Sequence, residues 1–126
     1  MKKELAAAAM LLLILCASLW NLRHLDLLLD ELDIGSELAL SASEAGNWSE
    51  AETAVTALVA RWQKSETYVQ IFIRHADIDA VSDLLTALRS AVRSQDADAC
   101  RTAAFSVSMR LDSIRKAETP SLGSIF

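Results

Sequence analysis

Helix breakers are nearly missing from this chain: three glycines and one proline stand in 126 residues, and these are the residues that most often force a backbone out of regular geometry. Ala and Leu are the most frequent of the remaining residues, and Glu and Arg add further good helix formers, so an all-α fold is expected. Cysteine is equally scarce. Cys16 lies in an apolar run and Cys100 in a helical stretch, which provides no disulfide framework and makes Cys100 a small core residue. No Gly-x-Ser-x-Gly elbow, phosphate loop or grouping of serine, histidine and acid occurs, so neither an enzyme nor a cofactor is expected. The two histidines, His24 and His75, are each followed two residues later by an aspartate. Zinc needs three or four convergent ligands, and an aspartate at i+2 points to a different part of a helix, so surface or capping roles are expected of both.

Bases are missing from one long segment. Between Asp26 and Glu52 there are eight acids and no lysine or arginine, whereas between Arg61 and Lys116 nine bases face seven acids. With a formal net charge of −5 and no concentrated basic face, nucleic acid is excluded as a partner.

What the chain has in abundance is one apolar run. Leu5 to Leu22 is eighteen residues without a formal charge; as a helix it would extend about 27 Å, against about 30 Å for a hydrocarbon core. Lys2 and Lys3 precede it, and Trp20 and Asn21 mark its far end, where an indole favours the membrane interface. This predicts a single-pass anchor with the N-terminus cytoplasmic and the bulk of the chain extracytoplasmic. The rival reading is a cleaved signal peptide, with an apolar region from Leu5 to Leu15 and the small residues Cys16 and Ser18 at the cleavage positions. The run continues through Leu19, Trp20 and Leu22 without Gly or Pro, as a continuous helix would. A lipoprotein is disfavoured by bulky Leu15 immediately before Cys16.

Helical spacing persists past the run in Leu22, Leu25, Leu29 and Leu32, with Leu28 and Leu38 widening the stripe, so the span is expected to continue outward as one long helix. Asp26, Asp30, Asp33 and Glu37 repeat one residue later, forming an acidic stripe beside the core face. Gly46, Asn47 and Glu50 read as a helix stop, an N-cap and the third residue of a capping box. A second helix carries Trp48, Ala51, Val55, Leu58, Val59 and Trp62 and fades near Lys64-Ser65. Thr67 with Gln70 then opens a third, running through Val69, Phe72, Ile73, Ala76, Ala80, Leu84, Leu88, Ala91 and Val92. After Ser94-Gln95-Asp96 a fourth follows, with Ala97, Cys100, Ala104, Val107, Leu111 and Ile114 on its seam, ending at Pro120 and Gly123.

Three short matches recur in order at offsets of 51, 49 and 52: Arg23-His24-Leu25-Asp26 with Arg74-His75-Ala76-Asp77, the turn at Asn47 with that at Asp96, and Lys64 to Thr67 with Lys116 to Thr119. They suggest two helical hairpins forming a small four-helix bundle. Trp48, Trp62 and Tyr68 are expected in the core. The acidic stripe Asp26, Asp30, Asp33 and Glu37 is the candidate partner-facing surface, with a solvated face as the plain alternative.

The span, the Gly46-Asn47-Trp48 turn, Trp62, the Phe72-Ile73-Arg74-His75-Ala76-Asp77-Ile78-Asp79 stretch and the ending Pro120-Ser121-Leu122-Gly123-Ser124-Ile125-Phe126 together resemble the small membrane-anchored bacterial proteins of domain-of-unknown-function family 4363. The resemblance implies a helical domain on one anchor and brings no catalytic residues. The expected organisation is an anchor over 1–22, a helical domain over 23–119 and a tail over 120–126. The expected function is a structural or interaction module for an integral membrane partner or for self-association. The alternative is a module binding a small ligand or cation between the hairpins.

Overall fold

A computed structural model describes residues 1–118. The predicted tail 120–126, with the Pro120 and Gly123 helix stop, lies outside them. Four helices follow one another: α1 (Lys2–Glu44), α2 (Trp48–Phe72), α3 (His75–Arg93) and α4 (Ala97–Glu118). Each packs against two others, α1 on α2 and α4, and α3 on α2 and α4, which closes the set into an up-down bundle of two hairpins.

α1 is 43 residues long and crosses the expected boundary at residue 22 without a break. Residues 2–20 of it are exposed all round. From Leu25 onward one face is buried, through Leu25, Leu28, Leu29, Leu32, Ser36, Ala39 and Ser43. Leu38, expected on this face, is instead exposed. Spacings of three and four from Leu32 lead to Ser36 and Ala39, so a position one residue before Ala39 is turned about 100° away. Gly35 meets α2 side-on: a Cβ there would lie 2.9 Å from Leu58 Cδ1, so the missing side chain permits the close approach of the two helices.

The α1–α2 turn matches its reading in the sequence. Gly46 takes φ +76°, the Asn47 N–H donates to the Ala42 carbonyl (2.8 Å) and the Gly46 N–H to the Ser43 carbonyl (3.1 Å), a Schellman closure. The Asn47 side chain then accepts from the Glu50 N–H (3.4 Å) and starts α2. The α3–α4 turn has the same design. Gln95 takes φ +54°, the Asp96 N–H donates to the Ala91 carbonyl (3.1 Å) and the Gln95 N–H to the Val92 carbonyl (3.0 Å), and the Asp96 side chain accepts from the Ala99 N–H (3.1 Å).

The core repeats with the turns. Buried Leu29, Leu32, Ser36, Ala39, Ala51, Val55, Leu58 and Trp62 have buried counterparts 49 residues on, in Ile78, Val81, Leu85, Leu88, Cys100, Ala104, Val107 and Leu111.

The α2–α3 corner departs from expectation. α2 does not fade at Lys64-Ser65: the Ser65 hydroxyl donates back to the Arg61 carbonyl (3.0 Å), a bond compatible with helix, and Val69 is buried. The chain leaves the helix only at Ile73 (φ −116°, ψ 143°) and Arg74, which is also extended. Thr67 and Gln70 therefore sit inside α2. The break resets the helical phase, so the buried face of α3 is Ile78, Val81, Leu85, Leu88, Ala91 and Val92, whereas Ala76 is exposed and Ala80 and Leu84 are only half-buried.

Candidate functional site

The acidic stripe lies along the α1–α4 edge. Arg115 of α4 reaches three of its members, with Nε 3.5 Å from Asp26, Nη2 bonded to Asp30, and Nη1 3.9 Å from Asp33. One guanidinium thus offsets three carboxylates that sit three and four residues apart on one helix. Glu37 is exposed and makes no ion pair among the described residues. Charge along α1 is handed out to both neighbours, since Glu31 pairs with Arg61 of α2 (2.7 Å) and Glu44 with Arg101 of α4 (3.3 Å). Six of the eight acids that look unbalanced along the chain, Asp26, Asp30, Glu31, Asp33, Glu44 and Glu52, thus face bases that come from Arg61 onward.

The aromatic residues divide. Trp62 is 2 % exposed and donates its indole N–H to the Ser82 hydroxyl of α3 (2.8 Å), which makes it the largest side chain in the core. Trp48 is half-buried against the core edge. Tyr68 is half-buried beside α1, where its hydroxyl donates to the Asn21 carbonyl (3.2 Å), and burial pushes its pKa up. His24 lies between two rings, stacked on Trp20 and edge-on to Tyr68, both at 5.3 Å. His75 is exposed at the start of α3. Cys100 is buried, and burial raises its thiol pKa, with a Ser43 hydrogen bond opposing and Asp96 reinforcing.

Asp77 stands apart as a buried carboxylate, held by Arg110 of α4 (3.3 Å) and by Arg74 (3.4 Å). It sits in the first turn of α3, where the helix dipole favours a negative charge. These contacts assign it to pinning the α2–α3 corner onto α4.

Two features were not foreseen in the sequence. The outer face of α1, opposite its buried face, carries Leu27, Ile34 and Leu38, exposed by 53, 58 and 60 %. Phe105 and Met109 are also exposed one turn apart on α4, and Phe105 borders a shallow groove shared with Glu37, Leu40 and Arg101. Spacings of seven and four residues in Leu27, Ile34 and Leu38 were the available signal, hidden because leucines occur on every side of this helix.

No curated protein and no solved structure matches the chain. The match to a family covers residues 19–125, which takes in the whole bundle, while most of the apolar run precedes it. The chain belongs to the family described as a domain of unknown function, DUF4363.

Proposed function

We propose that this protein is a membrane-tethered interaction module, held by the N-terminal half of α1 and presenting the outer face of α1 to an integral membrane partner. The observation that carries the tether is the state of α1. Its most apolar stretch has a mean hydropathy of 2.2 and none of it is buried by the rest of the fold, so a helix surface that water solvates poorly is left for lipid to cover. Lys2 and Lys3 before the run support an N-terminus on the cytoplasmic side, with the bundle outside. Continuity of α1 into the bundle favours retention over cleavage near Ser18, because cleavage there would cut a helix in mid-course. Mass spectrometry of the mature chain in the membrane fraction is expected to find the N-terminal residues present. A mature end near Leu19 with the protein released would refute the tether.

The partner-facing surface is supported by what surrounds Leu27, Ile34 and Leu38. Asp30, Glu31 and Glu37 flank this stripe, and it rises directly from the span. A helix of another membrane protein, apolar on one side and basic at its margins, fits it. A ligand taken up between the hairpins finds less support, since Trp62, Leu28, Leu32, Leu85, Leu88 and Leu111 fill that space. Photo-crosslinking from a benzophenone side chain at Ile34 in native membranes should give a discrete adduct that the same group at Asp83 of α3 does not give. Glu37→Gln is the cleanest charge test, because Asp26, Asp30 and Asp33 also serve Arg115. An adduct yield unchanged by Glu37→Gln at low salt would reduce the acids to a solvated face.

A further inference from the structure

Tracing α2 back down α1 gives the height of the α2–α3 corner. The two helices are antiparallel, with contacts of Leu58 at Gly35, Arg61 at Glu31 and Tyr68 at Asn21. Each step along α2 descends α1 by about 1.5 Å. Three residues beyond Tyr68, Ile71 therefore lies about level with the 18–22 segment of α1, the outer end of the apolar run. There Ile71 is 74 % exposed, whereas its neighbour Ile73 is buried in the bundle. An isoleucine left open at the tip of a bundle is ordinarily unremarkable. At this height it is not facing bulk water if α1 spans a bilayer.

We infer that the α2–α3 corner is a second membrane contact, in which Ile71 enters the headgroup region and Arg23 and Arg74 lie at the level of the lipid phosphates. The inference rests on the proposed tether. Three further observations agree with that height. Trp20 and Tyr68, the residue types that favour the interface, sit there around His24. Arg23 and Arg74 are both exposed, and each can bond phosphate oxygens from this level. Asp77, the acid next to Arg74, is turned into the bundle and shared with Arg110, and the exposed acids Asp26 and Asp79 stand about a turn further from the tip, which leaves Arg23 and Arg74 as the outermost charges of the corner. Two attachments, the span and the corner, would hold the bundle in one orientation and keep the outer face of α1 directed at a fixed neighbour.

Depth measurement on the full chain tests this. Cys16→Ala removes the exposed thiol and buried Cys100 remains protected. Single cysteines at Ile71, at Leu12 in the span and at Ser49 at the far end of the bundle are then labelled with an environment-sensitive fluorophore. Each protein is placed in vesicles of phosphatidylcholine and phosphatidylglycerol carrying shallow or deep spin-labelled lipid. Ile71→Cys is expected to be quenched at least about twofold more by the shallow lipid quencher than Ser49→Cys, and to be shielded from aqueous iodide. Leu12→Cys should respond to the deep quencher. If Leu12→Cys is lipid-quenched while Ile71→Cys behaves like Ser49→Cys, the corner contact is overturned and the tether stands. If Leu12→Cys is open to iodide, the tether fails and the corner contact fails with it.

Discussion

The two hairpins share a plan and differ in filling. Both close with the same turn, Gly46-Asn47 in one and Gln95-Asp96 in the other, and both bury the same positions 49 residues apart. Their side-chain sizes run in opposite directions. Toward the α1–α2 turn α1 supplies Ser36, Ala39, Ala42 and Ser43 where α3 supplies Leu85, Leu88, Ala91 and Val92, and α2 supplies Val55 where α4 supplies Ala104; nearer the span α2 supplies Trp62 where α4 supplies Leu111. Interiors are packed close to crystal density, so two hairpins sharing one core cannot both be large at one level. Repetition fixes which positions point inward; complementarity of size then fixes how the copies fit.

The comparison breaks hardest at Trp62. Trp62→Ala should cost about 3–5 kcal/mol, a cavity penalty with loss of the Ser82 bond added. Leu111→Ala, at the matching position, should cost about 2–5 kcal/mol. Urea unfolding in detergent measures both, and a loss under about 1 kcal/mol at Trp62 would mean that the two positions are not equivalent in packing.

Asp77 is where the hairpins differ in kind, since the matching residue is buried Leu28. Asp77→Ala should cost about 1.5–3 kcal/mol, the range for a hydrogen bond to a charged group. Asp77→Leu should cost less, because Arg110 and Arg74 are exposed enough to turn to water while the new side chain adds apolar burial. Thermal unfolding of the pair decides it, and an equal loss in both would show that the charge itself is required.

The turns differ in one residue, and the difference has a sign. Gln95 holds the left-handed conformation that costs a side-chain-bearing residue about 1–2 kcal/mol, and Gly46 holds it freely. Gln95→Gly should therefore stabilise by up to about 1 kcal/mol despite the greater freedom of the unfolded chain. Gly46→Ala should lose about 1 kcal/mol through backbone strain alone, since nothing lies within 4 Å of the added Cβ. Opposite shifts in the denaturation midpoint are the expected outcome.

The smallest effect concerns Cys100, whose counterpart is Ala51. A thiol with its folded pKa raised adds stability that is fully present below its ordinary value, 9.0, and is lost as pH rises through the folded value. Raised Tyr68 adds a similar slope above 10.0. Stability should hold to about pH 9 and then decline, less steeply in Cys100→Ala; identical declines in denaturant titrations at pH 8 and pH 10 would exclude the thiol as a contributor.

Sequence alone determined the all-helical class, the apolar run, the course of α1 out of it, the Gly46-Asn47 and Asp96 turns, and the seams of α2 and α4. These are legible because side-chain period, caps and left-handed glycines act within a few residues. Only the tertiary structure decided the α2–α3 corner. Neither Ile73 nor Arg74 is a breaker, and no side chain caps α3; the bend exists because Ile73 is buried and Asp77 meets Arg110 across the bundle. The acidic stripe followed the same rule. Its spacing was visible in Asp26, Asp30 and Asp33, yet the base that answers them is Arg115, which only folding brings to α1. Leu38 and Leu28 look alike in the chain, and which of them is covered depends on where the neighbouring helices lie.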